Sequence, residues 1–325
     1  MSQSADLRLN DQSYSLEIIT GTEQEHAIDV SKLRKQSKFI TFDDGYGNTG
    51  SCESSITYID GDNGILRYRG YDITELAEKS NFLETCHLLL YGELPTKDEL
   101  KLFESRVSNY AELPDDVLGA LTSLPASTHP MAVLSCGLQA LGGAFPTLAT
   151  NNRAKDLEKF DDAAALIISA TRAIASSRYR YQLGQPFVSP DSSKGYCENF
   201  LSMMFSSDEG GGDVPQEVSN ALDLIFLLHA DHEQNCSTST CRMIASGGAN
   251  PFASVAGATS ALWGPLHGGA NMAVIRMLNE IHESGDDGSR FVESAKLGKS
   301  RLMGFGHRVY PVSYTHLRAH ETSLH

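Results

Sequence analysis

Histidines beside glycines, or at the end of an apolar segment, mark three places in this 325-residue chain where chemistry could occur. His267 stands in "WGPLHGGANMAVIRML", between a Gly-Pro turn and a Gly-Gly step before a helix predicted to begin near Ala270 or Asn271. Backbone amides and the positive end of that helix would disfavour protonation of the imidazole. A neutral imidazole so placed can donate a hydrogen bond to a developing enolate. On spacing alone it is equally open that Gly268 and Gly269 only allow close helix packing.

The other two places carry His307 and a pair of histidines. In "RLMGFGHRVY", Gly304 and Gly306 let the backbone beside His307 approach a ligand closely, although a strained structural loop explains them equally well. In "LLHADHEQN", His229 and His232 are three positions apart at the end of a very apolar predicted helix, so we expect them to share one buried face. Hydrogen-bonded core histidines are favoured there over metal ligands, because the segment lacks the usual metal-binding helix patterns.

Together the three segments predict chemistry on a carbonyl compound. One histidine would hold an enol, and another would polarise an electrophile. A proton must also be removed from carbon, which needs a carboxylate base. None of the three segments supplies an obvious one.

Strand patterns dominate the first 70 residues. The predicted strands are "SYSLEII", "KFITF", "SITYID" and "ILRYRG". The last two are joined by Gly61-Asp62-Asn63-Gly64, which is typical of a hairpin turn.

Helical patterns dominate the rest, so we expect a mainly α architecture with about ten helices. One begins with a capping box at Thr96 and Glu99, one is opened by Pro114 and one starts at His129-Pro130. The segments "KDLEKFDDAAALIISATRAIASSRYRY" and "QEVSNALDLIFLLHADHEQ" are each predicted to form one helix.

The composition excludes several classes of function. A net charge of −15 argues against nucleic acid as a main partner, whereas anionic small molecules stay possible because a few local arginines can override the average field. No apolar run is long enough to span a bilayer, and the N-terminal sequence shows no export or organelle signal, so we expect a cytoplasmic protein without a membrane partner. Six cysteines without zinc-type spacing are interpreted as reduced structural thiols.

The sequence closely resembles citrate synthase, in particular the longer type common in Gram-negative bacteria. The resemblance extends from about Arg8 to Tyr310 and is most specific in "SCESSITYIDGD", "GILRYRGY", "LGQPFV", "NFLSMMFS", "HADHEQNCSTST", "SGGANPF", "LWGPLHGGAN" and "RLMGFGHRVY". It implies a mainly α, citrate synthase-like fold in which a large helical domain and a small domain close on oxaloacetate and acetyl-CoA. The predicted parts are an N-terminal β segment (1–70), the large helical domain (71–281) and the start of an incomplete small domain (282–311).

The resemblance also implies roles for the three histidines. His267 would hydrogen-bond the acetyl thioester oxygen and stabilise its enol. His307 would contact and activate the oxaloacetate carbonyl, and His232 would help to bind oxaloacetate. Acetyl-CoA is then a substrate, and neither a cofactor nor a metal is implied.

Coenzyme A binding and assembly are implied in the same way. The backbone of Met303, Gly304, Phe305 and Gly306 would meet the adenine of coenzyme A. Full-length members of the family associate with themselves as dimers or, in the longer type, as hexamers built from dimers.

After Tyr310 the sequence departs from the family pattern. The family would continue with an Asp-Pro-Arg and, later, with the aspartate that takes the methyl proton and the arginines that grip oxaloacetate, whereas this chain reads "PVSYTHLRAHETSLH". Residues 312–325 resemble translated sequencing-adapter readthrough, so we expect a non-native tail. Without the base and the bidentate guanidinium contacts, we expect an inactive fragment.

Three alternatives stay open. A 2-methylcitrate synthase would share the three histidine motifs and prefer propionyl-CoA, although the β segment at 13–44 favours the longer citrate synthase type. A metal-dependent hydrolase would use His229, His232 and a tail histidine. A non-catalytic helical scaffold would suit the missing base and arginines.

Overall fold

The computed structural model describes residues 3–206, 214–264, 269–300 and 303. The chain forms two compact units, Met1–Ser55 and Ile56–His325. Fourteen α-helices and six short strands are present in the described residues, so the predicted mainly α architecture is confirmed. Within the same ranges, no helix has both the length and the apolar character needed to cross a bilayer.

The first unit is built on a three-stranded antiparallel sheet in the order β1-β2-β3. Its elements are β1 (Ser4–Leu9), β2 (Gln12–Thr20), β3 (His26–Ile28) and helix α1 (Leu33–Ser37). Strand β2 contains the predicted strand "SYSLEII", whereas β1 and β3 go beyond the sequence prediction. Leu16 and Leu33 are its buried leucines among the described residues.

The predicted strand "KFITF" is wrong. Helix α1 is followed by Lys38, whose φ of 65° lies in the left-handed region and whose N–H bonds to the Arg34 carbonyl. Beyond it, Phe39, Ile40 and Phe42 are 45%, 71% and 89% exposed. Aromatic and β-branched residues favour a strand because they pack against a partner strand and a buried face. No strand of the described residues pairs with this segment.

The second unit begins with the predicted hairpin, which is confirmed. Its antiparallel strands are β4 (Thr57–Asp60), β5 (Ile65–Tyr68) and β6 (Tyr71–Asp72). Asp60 pairs with Ile65 across the turn. The Asp60 carboxylate accepts a hydrogen bond from the Asn63 N–H at 3.0 Å. Gly64 has a φ of 66°, which a residue without a side chain adopts at little cost.

Thirteen helices follow the hairpin in the described ranges. They are α2 (Ile73–Lys79), α3 (Phe82–Tyr91), α4 (Lys97–Asn109), α5 (Asp115–Thr122), α6 (Pro130–Ala144), α7 (Arg153–Glu158), α8 (Phe160–Gln182), α9 (Tyr196–Phe205), α10 (Gln216–Leu228), α11 (Cys236–Ser246), α12 (Pro251–Leu262), α13 (Gly269–Glu283) and α14 (Ser289–Lys296). The predicted capping box of Thr96 and Glu99 is present at the start of α4. Helices α5 and α6 begin where Pro114 and Pro130 predict.

Two predicted helices differ from the observed ones. The segment from Lys155 to Tyr181 is not continuous, because the backbone turns at Lys159 between α7 and α8, with φ −108° and ψ 13°. The Lys159 N–H bonds to the Asp156 carbonyl at 3.3 Å, three residues back. Helix α10 ends at Leu228, so the residues "HADHEQ" lie outside it.

The main apolar core lies where α5, α6, α8 and α12 meet. Its buried side chains are Val117, Leu121, Val133, Leu138, Leu141, Leu148, Ala163, Leu166, Ala170, Ile174, Phe252 and Ala256. Gly137 brings α6 close to α8, because a Cβ added there would lie 2.8 Å from Cδ1 of Ile174 and 3.1 Å from two more of its carbons. Ile174 is fully buried, and interior packing leaves it little space to turn away.

We expect Gly137→Ala to lower the free energy of unfolding by about 1–3 kcal/mol, because Ile174 or a helix must shift. The matched control is Gly143→Ala in the same helix, where an added Cβ meets nothing within 4 Å. Alanine there should be neutral or stabilising by up to about 1 kcal/mol. Urea unfolding followed by circular dichroism measures both variants. Equal stabilities would contradict the tight contact at Gly137.

Candidate active site

The structure describes two of the seven residues that the sequence assigns to a site. His232 and Met303 lie within the described ranges. The others lie outside them and are His267, Gly304, Phe305, Gly306 and His307.

The segment 229–235 joins α10 to α11 and carries both His229 and His232. His229 is the residue after α10; it is exposed, and its Nδ1–H donates to the Ile225 carbonyl at 2.7 Å. His232 is half-buried. The prediction that the two histidines share one buried helix face is wrong, because α10 ends before either of them.

The Tyr68 hydroxyl holds the start of this segment. Tyr68 lies on β5 and is fully buried. Its Oη donates to the Asp231 carbonyl at 3.0 Å, with the Leu228 carbonyl at 3.4 Å as a second acceptor, and accepts from the Asp231 N–H at 3.3 Å. A hydroxyl can donate and accept at once, so it satisfies backbone groups that the helix end leaves open. This contact explains why the chain leaves the helical path at this point.

Two further contacts fix the rest of the segment. The Ile59 N–H of β4 donates to Oε1 of Glu233 at 3.2 Å. Asn235 caps α11 by accepting from the Thr238 N–H at 2.9 Å, and its side-chain amide lies 3.5 Å from the His232 carbonyl. His232 is thus held between the hairpin on one side and a helix cap on the other.

Asp231, next to His232, is an acid inside the protein. Burial raises its pKa, while hydrogen bonds from the Thr57 hydroxyl and the Glu233 N–H, and the charge of Arg69, lower it in part. The Glu233 N–H lies 3.0 Å from Oδ2 of Asp231. The carboxyl group therefore acts as an internal acceptor that orders the segment.

The segment is positioned by Tyr68, Asp231 and Glu233, none of which is among the site residues predicted from the sequence. The two acids lie inside the motif "HADHEQ", and alternating burial along β5 places Tyr68 on its buried face. The Tyr68–Asp231 bond joins residues 163 positions apart. No local pattern encodes such a pairing.

The described residues around His267 and Met303 form a second group. Helix α13 begins at Gly269, close to the predicted start, and the Gly269 N–H donates to the Gly264 carbonyl at 3.2 Å. This hydrogen bond joins the two residues, Gly264 and Gly269, that stand on either side of 265–268. The Met303 N–H lies 3.3 Å from Sδ of Met277, which places Met303 beside α13.

A separate cleft of about 440 Å³ lies between the end of α2 with the turn that follows it, the start of α9, and α10. Asp223 lines it, and its carboxylate accepts from the Phe82 N–H at 2.9 Å and from the Cys197 thiol at 3.6 Å. Burial raises the pKa of Asp223 and that of Cys197. Phe82 is the first residue of α3, so Asp223 serves as a cap supplied by another helix. None of the described predicted site residues lines this cleft.

The described ranges also contain side chains of the kinds that bind metal ions or carry thiols. No group of three His, Cys, Asp or Glu side chains is arranged there to hold a metal ion. Free thiols occur in the described ranges at Cys86, Cys136, Cys197, Cys236 and Cys241. Burial raises the pKa of Cys86 to about 12, so this thiol stays protonated at neutral pH.

The chain is similar to citrate synthases along most of its length. The family model described as "Citrate synthase, C-terminal domain" matches residues 45–319, which includes part of the segment 312–325 that the sequence predicts to be non-native. Citrate synthase 1 of Mycobacterium tuberculosis is 45% identical over 308 residues, which are 94% of this chain and 71% of the relative.

Solved structures of citrate synthases share the fold. The enzyme from Pyrobaculum aerophilum has a TM-score of 0.77 at 33% identity, covering 94% of this chain and 72% of its own. The enzyme from Thermotoga maritima gives 0.70 at 35% identity, covering 87% and 73%. The enzyme from Thermoplasma acidophilum, in a ternary complex with carboxymethyl coenzyme A and oxaloacetate, gives 0.70 at 32% identity, covering 81% and 67%. The predicted citrate synthase-like fold is thereby confirmed.

Replacing Tyr68 with Phe is expected to lower the free energy of unfolding by about 1–3 kcal/mol, because the Asp231 backbone loses a buried partner. The control is Tyr71→Phe, an exposed tyrosine on β6 that should change stability by less than about 0.5 kcal/mol. Urea unfolding of both variants measures the difference. If the two variants are equally stable, the Tyr68 hydroxyl does not anchor the segment.

Asp231 should also leave a signature in the pH dependence of stability. Its folded-state pKa is raised by burial, so its stabilising contribution is present below the unfolded pKa near 4 and is lost as pH rises through the folded pKa. Compared with Asp231→Asn, the unsubstituted chain should therefore lose stability as pH rises above about 4. Urea unfolding at a series of pH values measures this difference.

Asp60→Asn provides a control of opposite sign. Hydrogen bonds from the Asn63 side chain and N–H lower the pKa of Asp60. Its stabilising contribution is therefore present above the unfolded pKa and is lost as pH falls through the folded pKa. If Asp231→Asn shows the same pH trend as Asp60→Asn, the raised pKa of Asp231 is wrong.

Proposed function

The chain belongs to the citrate synthase family, and we propose that its active site condenses acetyl-CoA with oxaloacetate and water to give citrate and CoA. The observation that carries this proposal is the 45% identity over 308 residues to a known citrate synthase. The similarity to a citrate synthase solved with carboxymethyl coenzyme A and oxaloacetate supports the same pair of ligands.

In the proposed reaction, His267 donates a hydrogen bond to the acetyl thioester oxygen and stabilises the enol formed when a carboxylate base removes a methyl proton. His307 polarises the oxaloacetate carbonyl, the enol carbon attacks it, and water hydrolyses the citryl thioester to release CoA. His232 helps to bind oxaloacetate. The anchoring of the His232 segment by Tyr68 and Asn235 supports this role, because it limits the positions that the ring can take.

The proposed coenzyme A contact involves the backbone of Met303, Gly304, Phe305 and Gly306. The position of the Met303 N–H beside Met277 supports it, since this contact brings the start of the predicted adenine segment to α13. Helix α13 also begins two residues after His267 in the sequence. The acetyl end and the adenine end of acetyl-CoA would then each bind at a segment that adjoins α13.

We further propose the domain organisation and assembly that the resemblance implies. The N-terminal β segment at 1–70, the large domain at 71–281 and the small-domain start at 282–311 would be those of the longer citrate synthase type, followed by a non-native tail at 312–325. That type assembles as dimers or hexamers when full length. The three-stranded sheet of the first unit supports the longer type, because its strands, between Ser4 and Ile28, lie within the proposed N-terminal β segment.

The polypeptide 1–325 is proposed not to complete the reaction by itself. Its sequence contains no Asp-Pro-Arg, and the resemblance places the aspartate base in the part of the family that follows the Tyr310 motif. Asp231 is adjacent to His232 but is already engaged by the Glu233 N–H, so it is a poor substitute for that base.

Release of CoA from acetyl-CoA in the presence of oxaloacetate, followed with a thiol reagent, tests both proposals. Polypeptide 1–325 should give no release above the buffer rate. A chimera in which the matching C-terminal part of the Mycobacterium tuberculosis enzyme replaces residues 312–325 should be active and prefer acetyl-CoA to propionyl-CoA. A folded but inactive chimera would contradict the proposed function. Activity of 1–325 itself would contradict only the proposed inactivity.

Variants of the active chimera test the individual roles. His267→Gln and His307→Gln should each lower kcat by roughly 10²–10³-fold, as expected for loss of a donor to a developing oxyanion. His232→Gln should raise KM for oxaloacetate. The matched control is His229→Gln, because His229 is exposed and its Nδ1–H is bound to the Ile225 carbonyl. A control as impaired as His232→Gln would argue against a specific role for His232.

A further inference from the structure

We propose that His129 is a positioning residue for the His267 motif: its ring, stacked on Trp263, holds the chain where that motif begins. The inference rests on the proposed function, because the position of His267 affects catalysis only in an enzyme that uses His267. The stack itself is a property of the described structure and can be tested without any substrate.

The stack joins two helices that are distant in the sequence. The ring centroids of His129 and Trp263 are 4.9 Å apart and the ring planes are inclined by 23°, within the usual range for stacked aromatic pairs. His129 is the residue before α6, and Trp263 is the residue after α12. Trp263 is 47% exposed, so packing encloses only part of it and the histidine face is a specific restraint on its position.

The orientation of His129 is fixed independently of Trp263. Pro130 restricts the preceding residue to extended conformations, and His129 has φ −57° and ψ 134°. Its Nδ1 accepts from the Met131 N–H at 3.2 Å, which places the proton of the neutral ring on Nε2. The ring is therefore set by the start of α6 and presents a fixed surface to the tryptophan.

A buried arginine fixes the turn before His129. Nη2 of Arg178, on α8, donates to the carbonyl oxygens of Pro125, Ala126 and Thr128 at 3.0, 2.7 and 2.7 Å. Hydrogen bonds from a charged donor are stronger than neutral ones. Nη2 carries two N–H hydrogens, so these donors are shared among the three carbonyl oxygens. The contacts tie the turn to a core helix and thereby limit movement of the stacked histidine ring.

Hydrogen bonds carry this restraint from Trp263 to both flanks of the His267 motif. The Trp263 N–H bonds to the Ser260 carbonyl at 3.2 Å, which keeps Trp263 on the end of α12. The next residue, Gly264, accepts from the Gly269 N–H at 3.2 Å. His267 lies between Gly264 and Gly269 in the sequence, so a shift of Trp263 moves both residues that flank it.

The competing explanation is that His129 only caps α6. The two roles use different parts of the ring, since the cap needs the Nδ1 lone pair and the stack needs the ring face. His129→Asn keeps a capping side chain and removes the ring. His129→Phe keeps a ring that can stack and removes the acceptor. This pair of variants therefore separates the two roles.

The experiment combines fluorescence of Trp263, the single tryptophan, with amide hydrogen exchange of the 325-residue chain. In His129→Asn, acrylamide quenching of Trp263 should increase. Exchange of the peptide 264–272 should rise roughly two- to tenfold, the change expected for loss of one aromatic pair. Exchange at 131–133 should stay as in the unsubstituted chain. In His129→Phe the result should be reversed, with quenching and exchange of 264–272 preserved and exchange of Met131 faster.

Trp263→Leu provides an independent variant if a substitution at position 129 prevents folding. It should accelerate exchange of 264–272 as His129→Asn does, because it removes the other half of the stack, while the cap on Met131 is kept. Unchanged exchange of 264–272 in His129→Asn or in Trp263→Leu would overturn the proposal. So would a His129→Phe variant that behaves like His129→Asn. None of these measurements uses substrate, so their failure is distinct from failure of the condensation assay.

Discussion

A peptide group inside a protein must find a hydrogen-bond partner, and this requirement shapes the end of α10 beneath the hairpin. Leu227 and Leu228 are buried in one cluster with Leu66 and Tyr68, away from the water that would serve a helix end at the surface. The Tyr68 hydroxyl makes the hydrogen bonds to the backbone that water would otherwise make there. Because the hydroxyl belongs to the hairpin, the second unit's small sheet determines where the His232 segment lies. The short strands of the hairpin thereby set the position of the segment that carries His232.

The same requirement is met by charged side chains along α8. Arg172 donates to the Tyr196 carbonyl at 3.0 Å and lies 4.4 Å from the centre of its ring, while Arg180 donates to the Ser206 carbonyl at 2.7 Å. Burial lowers the pKa of Arg172, since its charge has left water. Cations of this kind are expensive inside a protein unless several acceptors surround them. Their contacts with backbone carbonyls tie loops to the core helix from which they extend.

Local rules account for the parts of the fold that the sequence predicts well. The hairpin turn, the capping box and the helix starts after Pro114 and at Pro130 each depend on residues a few positions apart. The wrong predictions concern tertiary contacts: "KFITF" has no partner strand in the described part of the chain, and the chain after Leu228 bonds to a distant tyrosine. The break at Lys159 is different. The residues around it are polar and favour a helix, so the sequence gives no strong signal that a helix ends there.

The candidate site also has some residues that stand out in the sequence and others whose role depends on tertiary contacts. The histidines stand out by residue type and by the glycines around them, so the sequence alone is enough to propose them as groups that act on a carbonyl. The residues that hold them, such as Tyr68, Asp231 and Trp263, are ordinary members of a strand, a loop and a helix end. Their importance comes from contacts across the fold, which composition and spacing do not record.

The contact between Gly137 and Ile174 has a consequence for sequence change over time. The two residues fill one shared volume between α6 and α8, so neither position is free to vary alone. A chain that keeps this helix spacing can accept a larger residue at one position only if the other becomes smaller. Positions 137 and 174 should therefore covary among related sequences. The residue pairs found there would show how closely the two helices approach each other.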